Sequence, residues 1–155
     1  MTSEQRDSLN HFFVTTFNKI GMMEESALKR SGCSDLTLKE LHTIEAVAEL
    51  EEEGRNTMSQ IAARLSISVG ALTTAIQTLV KKGYLERRRP QNDHRIVQVF
   101  LTENGRAAEC RHRGFHEEMV QSIGDSLSGD RLDSLIASLK LLSEFFENKS
   151  EEIRS

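Results

Sequence analysis

Proline occurs once in these 155 residues, at Pro90, and no other feature constrains the fold as strongly. Proline breaks helix interiors because it lacks an N–H and its ring clashes with the preceding turn. The chain on either side of Pro90 is therefore free to be helical. Pro90 itself sits in Arg89-Pro90-Gln91-Asn92-Asp93, a run of turn-forming residues. Short extended stretches flank it, Tyr84 to Arg89 and Ile96 to Leu101, the second alternating Val97, Val99 and Leu101. That spacing predicts one β-hairpin, so the chain should be mostly α with a small β-hairpin wing.

Apolar residues at three- and four-residue spacing predict the helices. Leu9, Phe12, Phe13, Phe17, Ile20, Met23 and Leu28 form a stripe from residue 6 to about 30, ended by Ser31-Gly32. Thr37-x-x-Glu40 and Thr57-x-x-Gln60 read as capping boxes, in which the two side chains satisfy each other's free backbone N–H groups. The first opens a helix with Leu38, Leu41, Ile44 and Val47 on its core face, Leu36 and Leu41 being placed for a hydrophobic staple. It runs out in the acidic segment Glu51-Glu52-Glu53-Gly54. The second opens a short helix burying Ile61, Ala62 and Leu65. Ser68 is a good N-cap for a fourth helix that runs to Lys82 and stops at Gly83. Thr102 caps a fifth helix reaching about Ile123, and Ser128 a last one that carries Leu132, Leu135, Ile136, Leu139, Leu142, Phe145 and Phe146.

A formal net charge of −4 looks wrong for a nucleic-acid binder until it is divided along the chain. Residues 1–56 hold six lysines and arginines against eleven acids, residues 57–113 ten against four, and residues 114–155 four against nine. A basic middle between acidic ends marks a localised electrostatic footprint. No stretch approaches the roughly 18 uninterrupted apolar residues of a membrane span. The N-terminus lacks the charged-then-apolar layout of a signal peptide, and Cys33 and Cys110 form no CxxC. A cytoplasmic protein without a membrane partner is expected.

Helix, tight turn, helix and hairpin is the order of a winged helix-turn-helix, here from Thr57 to Thr102. On the fourth helix Val69, Leu72, Ile76 and Leu79 should pack on the third. Gly70, Thr73, Thr74, Gln77 and Lys81 then share an arc of roughly 100°. That arc has no acid and no large apolar residue, and no Glu or Asp occurs between Arg64 and Tyr84. Gly70 and Ala71 would allow close backbone approach, Ser68, Thr73 and Thr74 could reach bases or phosphates, and Gln77 could pair with an adenine edge. Over residues 81–95, Lys81, Lys82, Arg87, Arg88, Arg89 and Arg95 face only Glu86 and Asp93. Arginines at a hairpin tip, with Asn92 beside them, can enter a minor groove. Asp93 is placed to orient the Arg95 guanidinium through a bidentate pair. Double-stranded DNA is the expected partner.

Residues 57–105, with Asp93-His94-Arg95-Ile96-Val97 followed by Leu101-Thr102-Glu103-Asn104-Gly105, resemble the MarR family of bacterial transcriptional regulators. The D-x-R wing followed by L-T-x-x-G is a specific signature, and the flanking helices match in order and length. The resemblance implies a repressor that acts as a homodimer on a pseudo-palindromic operator. It implies that residues 37–102 form the winged helix-turn-helix domain, with residues 1–36 and 103–155 as the helical dimerisation region. A dimer is also expected from the residues alone, because Phe12, Phe13, Phe17, Phe145 and Phe146 lie outside the DNA module and need covering.

Two readings of the sensing function stand side by side. The segments Leu38 to Ile44 and Arg111 to His116 are similar to MarR-type repressors of fatty-acid synthesis genes. That likeness implies an acyl chain on acyl carrier protein as effector, seated in an apolar cleft, with no required cofactor. The alternative is zinc. His112 and His116 are spaced i, i+4, and His42, Glu40 or Cys33 could complete a site. Zinc-responsive MarR-type repressors carry histidines at similar positions, although no acid directly precedes His112 here. A redox switch through Cys33 and a winged-helix module that binds protein are further alternatives. Catalysis is not expected: there is no phosphate-binding glycine loop and no G-x-S-x-G, and Val120 replaces the second histidine of H-E-x-x-H.

Overall fold

The computed structural model describes residues 1–91, 93 and 95–154, without the side chains of residues 150, 151, 153 and 154. It forms two compact units, Met1–Phe115 and the residues from His116 onward. In order, the elements are α1 (Ser3–Arg30), α2 (Leu38–Glu52), α3 (Met58–Arg64), α4 (Val69–Lys81), β1 (Leu85–Arg88), β2 (Gln98–Leu101), α5 (Glu103–Ser126) and α6 (Gly129–Arg154). The helix α5 begins in the first unit and ends in the second. Among the described residues no single helix is long and apolar enough to cross a membrane.

Local chemistry sets most boundaries. Thr37 and Thr57 form the expected capping boxes with Glu40 and Gln60, and Ser68 accepts the Ala71 N–H. Turns after α1, α2 and α4 use Gly32, Gly54 and Gly83, all at positive φ. At the N-terminus α1 starts three residues before the expected residue 6. The reason is a further capping box, Thr2 with Gln5, that precedes the apolar stripe and was missed. Both strands are shorter than expected. The Tyr84 carbonyl accepts from Thr102 N–H, and the Ile96 N–H bonds to the Asp93 carbonyl in the turn.

The hairpin pairs Leu85 with Leu101 and Arg87 with Val99, antiparallel. Its outer edge is not left open. Asn56 O accepts the Val99 N–H, Asn56 Nδ2 donates to Val99 O at 2.7 Å, and Met58 N–H donates to Val97 O. Asn56 is 2% exposed, so the segment between α2 and α3 acts as a third strand that period-2 patterning could not reveal. Ile44, Val47, Ile61, Leu72, Ile76, Leu79, Leu85 and Val99 are fully buried together. This core seats α3, α4 and the hairpin on α2. Burial of each such side chain is worth roughly 1.5–3 kcal/mol.

The L-T-x-x-G run closes the module. Thr102 Oγ1 donates to the Gly83 carbonyl at 2.6 Å and accepts the Gly105 N–H at 3.2 Å. A Cβ at Gly105 would lie 2.2 Å from the Tyr84 carbonyl oxygen and 3.3 Å from the Leu101 side chain. Only glycine lets α5 start this close to the end of α4. Gly105→Ala is accordingly expected to cost about 3 kcal/mol, the upper end of overpacking, in urea or thermal unfolding. A variant as stable as the wild type would show that this junction relaxes freely.

Candidate nucleic-acid interface

The helices α3 and α4 meet at 104°, within the roughly 90–120° of a helix-turn-helix. Ser66, at φ 57°, makes the turn between them. On α4, Leu72, Ile76 and Leu79 are buried as expected, but Val69 is 47% exposed. It lies in the first turn of the helix and is only half covered. Gly70, Ala71, Thr74, Gln77 and Lys81 are exposed and Thr73 is half-buried. A Cβ at Gly70 would meet nothing nearer than Ser68 Oγ at 3.9 Å. The fold itself thus has no need for glycine there, although a helical glycine costs roughly 0.5–1 kcal/mol. Among the described residues the side chains of Thr74, Gln77 and Lys81 have no hydrogen-bond partner, whereas the hydroxyl of Thr73 donates to the Val69 carbonyl. Thr78, which the sequence reading passed over, adds a further exposed hydroxyl to this surface.

The wing's cations divide into several roles. Arg87 Nη2 donates to the Thr73 carbonyl at 3.1 Å, tying β1 to α4. Arg88 pairs with Glu86 and lies over the Phe100 ring, 4.5 Å from its centroid. Arg89 and Arg95 are exposed, with no side-chain partner among the described residues. The expected Asp93–Arg95 guanidinium pair is absent among them. Asp93 Oδ1 instead accepts the backbone N–H of Arg95 at 2.9 Å. This is an Asx-type turn, and a short side chain reaches its own backbone two residues on more readily than a distant guanidinium. Asn92 and His94 lie outside the described residues.

Lys82 does not belong to the basic surface. Its ammonium donates to both Glu40 carboxylate oxygens at 2.8 Å and to the Asp35 carbonyl. Burial raises the pKa of Glu40, but the hydrogen bonds from Lys82 and Thr37 outweigh it and hold the carboxyl below its ordinary value. Nearby, the Tyr84 hydroxyl donates to Asp35 Oδ1 at 2.8 Å. Its burial, together with Asp35, pushes the phenol pKa well above the usual range.

A second cluster joins α1, α2 and α5 in the first unit. Glu24, His42 and His112 each present a ligand atom, all within 4.8 Å of one another. Glu24 Oε1 lies 3.7 Å from His112 Nε2 and 3.9 Å from His42 Nε2, and Glu45 Oε1 lies 3.8 Å from His112 Nδ1. Glu24 and His112 are buried. Glu24 therefore takes the place for which the sequence suggested Cys33 or Glu40, and its position on a separate helix, with no spacing motif, hid it. Buried Cys33 accepts a hydrogen bond from Arg111 Nη1 at 3.3 Å. His116 belongs to the second unit. Between α1, α2 and α5 there is a cavity of about 20 Å³ lined by Leu28, Leu41, Ala108, Phe115 and Glu24 among others.

The sequence profile of the MarR family matches residues 36–97. The HTH-type transcriptional regulator SarZ of Staphylococcus haemolyticus is 30% identical over 106 residues, covering 68% of this chain and 69% of that protein. The chain belongs to the MarR family. The multiple antibiotic resistance protein MarR of Escherichia coli is 38% identical over 78 residues, 49% of this chain and 54% of that one. Among solved structures, Streptococcus pneumoniae FabT in complex with DNA is similar at a TM-score of 0.85 and 32% identity, covering 92% of this chain and 98% of that one. This MarR-family transcriptional regulator spans about two thirds of the length of several curated relatives that it matches. Its fold is the expected one, mostly α with a two-stranded wing.

The Glu40–Lys82 contact gives this regulator an acid limb. A depressed carboxyl pKa contributes stability that is fully present above the unfolded value and is lost as pH falls through the lower folded one. Thermal midpoints of the wild type should therefore drop below about pH 4.5, and Lys82→Met should remove part of that drop while lowering the midpoint at pH 7. Parallel pH profiles for the two proteins would show that the contact contributes nothing.

Proposed function

We propose that this MarR-family regulator binds double-stranded DNA as a homodimer and represses from a pseudo-palindromic operator. The observation that carries the reading is the exposed, acid-free face Gly70–Lys81 on α4, tied through Arg87 to a wing that presents Arg89 and Arg95. Helix α4 would enter the major groove with Gln77 facing base edges, while the wing reaches the adjacent minor groove. The likeness to FabT, solved with DNA, supports this. The dimer is supported by large apolar residues left in water: Phe12, Phe17 and Met23 on α1, and Ile136, Leu139, Phe145 and Phe146 on α6, are each 44–56% exposed. A twofold pairing that covers them would set the two α4 helices about one DNA turn, roughly 34 Å, apart.

For the effector we favour an acyl chain carried on acyl carrier protein, with control of fatty-acid synthesis genes, on the resemblance of Leu38–Ile44 and Arg111–His116 and the likeness to FabT. The cavity between α1, α2 and α5 holds about one water molecule at 20 Å³. An acyl chain would enter only by parting those helices, which is a route for it to move α2 and the module seated on it. A second reading is favoured by one observation, the convergence of Glu24, His42 and His112. Two imidazoles and a carboxylate suit Zn²⁺, and Glu45 beside His112 Nδ1 is placed to fix that ring's tautomer.

Binding of a fluorescent duplex, enriched from a random pool by the full-length protein, should weaken steeply with salt. Arg95→Ala should lower affinity about tenfold and make the salt dependence shallower, and Gln77→Ala should cost about 1–3 kcal/mol and relax base preference at one position. Salt-independent binding, or no enriched duplex, would overturn the reading. Light scattering should report a dimer. Calorimetry with Zn²⁺ and with acyl-loaded carrier protein separates the effectors: a zinc site is lost in His112→Ala, whereas an acyl effector changes duplex affinity in a zinc-free buffer.

A further inference from the structure

We propose that Glu51 is the positioning residue that sets the wing for contact with DNA, an inference that rests on the DNA-binding reading above. The strand β2 leads back from the tip that carries Arg95, and its outer edge must be held for that arginine to have a defined place. At Val97 and Val99 the edge is held by the α2–α3 connection. The Leu101 N–H lies beyond the reach of that segment. Its partner is a side chain fifty residues away, Glu51 Oε2 at 2.9 Å. The other oxygen of the same carboxylate pairs with Arg106, in the first turns of α5.

The three glutamates at the end of α2 are not placed alike. Glu52 is exposed, and exposed Glu53 pairs with Arg55 beside it. Glu51 differs, with a side chain 16% exposed. One carboxylate therefore grips the last residue of β2 and the start of α5, on either side of the Thr102 junction where wing and helix meet. The exposed ion pair with Arg106 is worth little by itself. Its use is to help aim the carboxylate at the Leu101 N–H.

Arg95 stands six residues before Leu101, on a strand held in turn at Val97, Val99 and Leu101. Without Glu51 the strand keeps its two inner ties but loses the one at its junction with α5, so the wing can tilt about the ties that remain. A wing arginine displaced by that tilt loses its phosphate or groove contact while α4 stays where its buried core holds it. Glu51 thereby governs the wing's share of binding and leaves the share read by α4 alone.

A double-mutant cycle on the enriched duplex tests this, with Glu51→Ala, Arg95→Ala and Gln77→Ala measured by fluorescence anisotropy at several salt concentrations. Glu51→Ala should bind about tenfold more weakly, with a salt slope shallower by about 0.9, the value of one phosphate contact. Combined with Arg95→Ala it should bind about as weakly as Arg95→Ala alone, whereas combined with Gln77→Ala the two losses should multiply. Glu51→Gln keeps an oxygen for the Leu101 N–H and should stay within about threefold of wild type. If Glu51→Ala does not fold, Glu51→Asp takes its place in the cycle, being one methylene too short to hold both partners. Wild-type affinity in the alanine variant, or losses that multiply with Arg95→Ala, would overturn the proposal. A wild-type protein that enriches no duplex would remove the DNA-binding reading itself, and is recognised before any variant is made.

Discussion

A two-stranded hairpin leaves its second strand with a row of unpaired N–H and C=O groups, and a hairpin of that size is neither stable alone nor fixed in direction. In this protein the α2–α3 connection fills the row. Asn56 gives its carbonyl to the Val99 N–H and its side-chain amide to the Val99 carbonyl, and Met58 takes Val97. Because Asn56 is itself buried, deleting its amide would leave a carbonyl unsatisfied, which costs about 1–3 kcal/mol. The direction in which the wing points depends on this seating. The wing is set against α2, α2 shares a core with α4, and Arg87 ties the wing to α4 directly.

The same seating accounts for how charge is spent. The residues from Lys81 to Arg95 include six cations against two acids, yet the fold assigns the cations different work. Lys82 turns back onto Glu40, Arg88 onto Glu86 and Phe100, and Arg87 onto a backbone carbonyl. What remains unpartnered among the described residues is Lys81, Arg89 and Arg95. These three are the cations free to meet phosphates without first giving up a contact. Counting basic residues along the chain overstates the wing's electrostatic attraction, because a cation already held by a carboxylate releases few counterions on binding.

Helix α2 also links this module to the other end of the first unit. His42 and Glu45, in its first half, face Glu24 of α1 and His112 of α5, and Glu51, near its end, holds β2 and Arg106. A packed helix moves as a rigid body, so a ligand that shifted α1 or α5 at the histidine cluster would have the wing within reach through one element.

Much of the fold was legible before any coordinates. Thr37, Thr57 and Ser68 announced their helices through cap chemistry that acts within three residues, and Leu72, Ile76 and Leu79 announced a buried face by period alone. The exposed arc on α4 follows from the same period. The Leu101-Thr102-Glu103-Asn104-Gly105 run pointed to the family, while its reason, a Tyr84 carbonyl where a Cβ would stand, appears only in three dimensions. Val69 was misjudged because periodicity assigns a face but not where along a helix the contact begins. Asp93 was misjudged because a side chain's choice between a guanidinium and its own backbone is decided by turn geometry.

The sequence by itself determined the elements, their order, the basic middle and the family, since all of these rest on interactions between residues close in the chain or on averages along it. Tertiary structure alone decided which charges are free, that Asn56 and Glu51 close the edge of the wing, and that Glu24 joins His42 and His112. Those pairings span tens of residues, and no local rule links their partners. They exist because burying the core that α1 to α5 share brings the partners together, and only then does a hydrogen bond or an ion pair between them form.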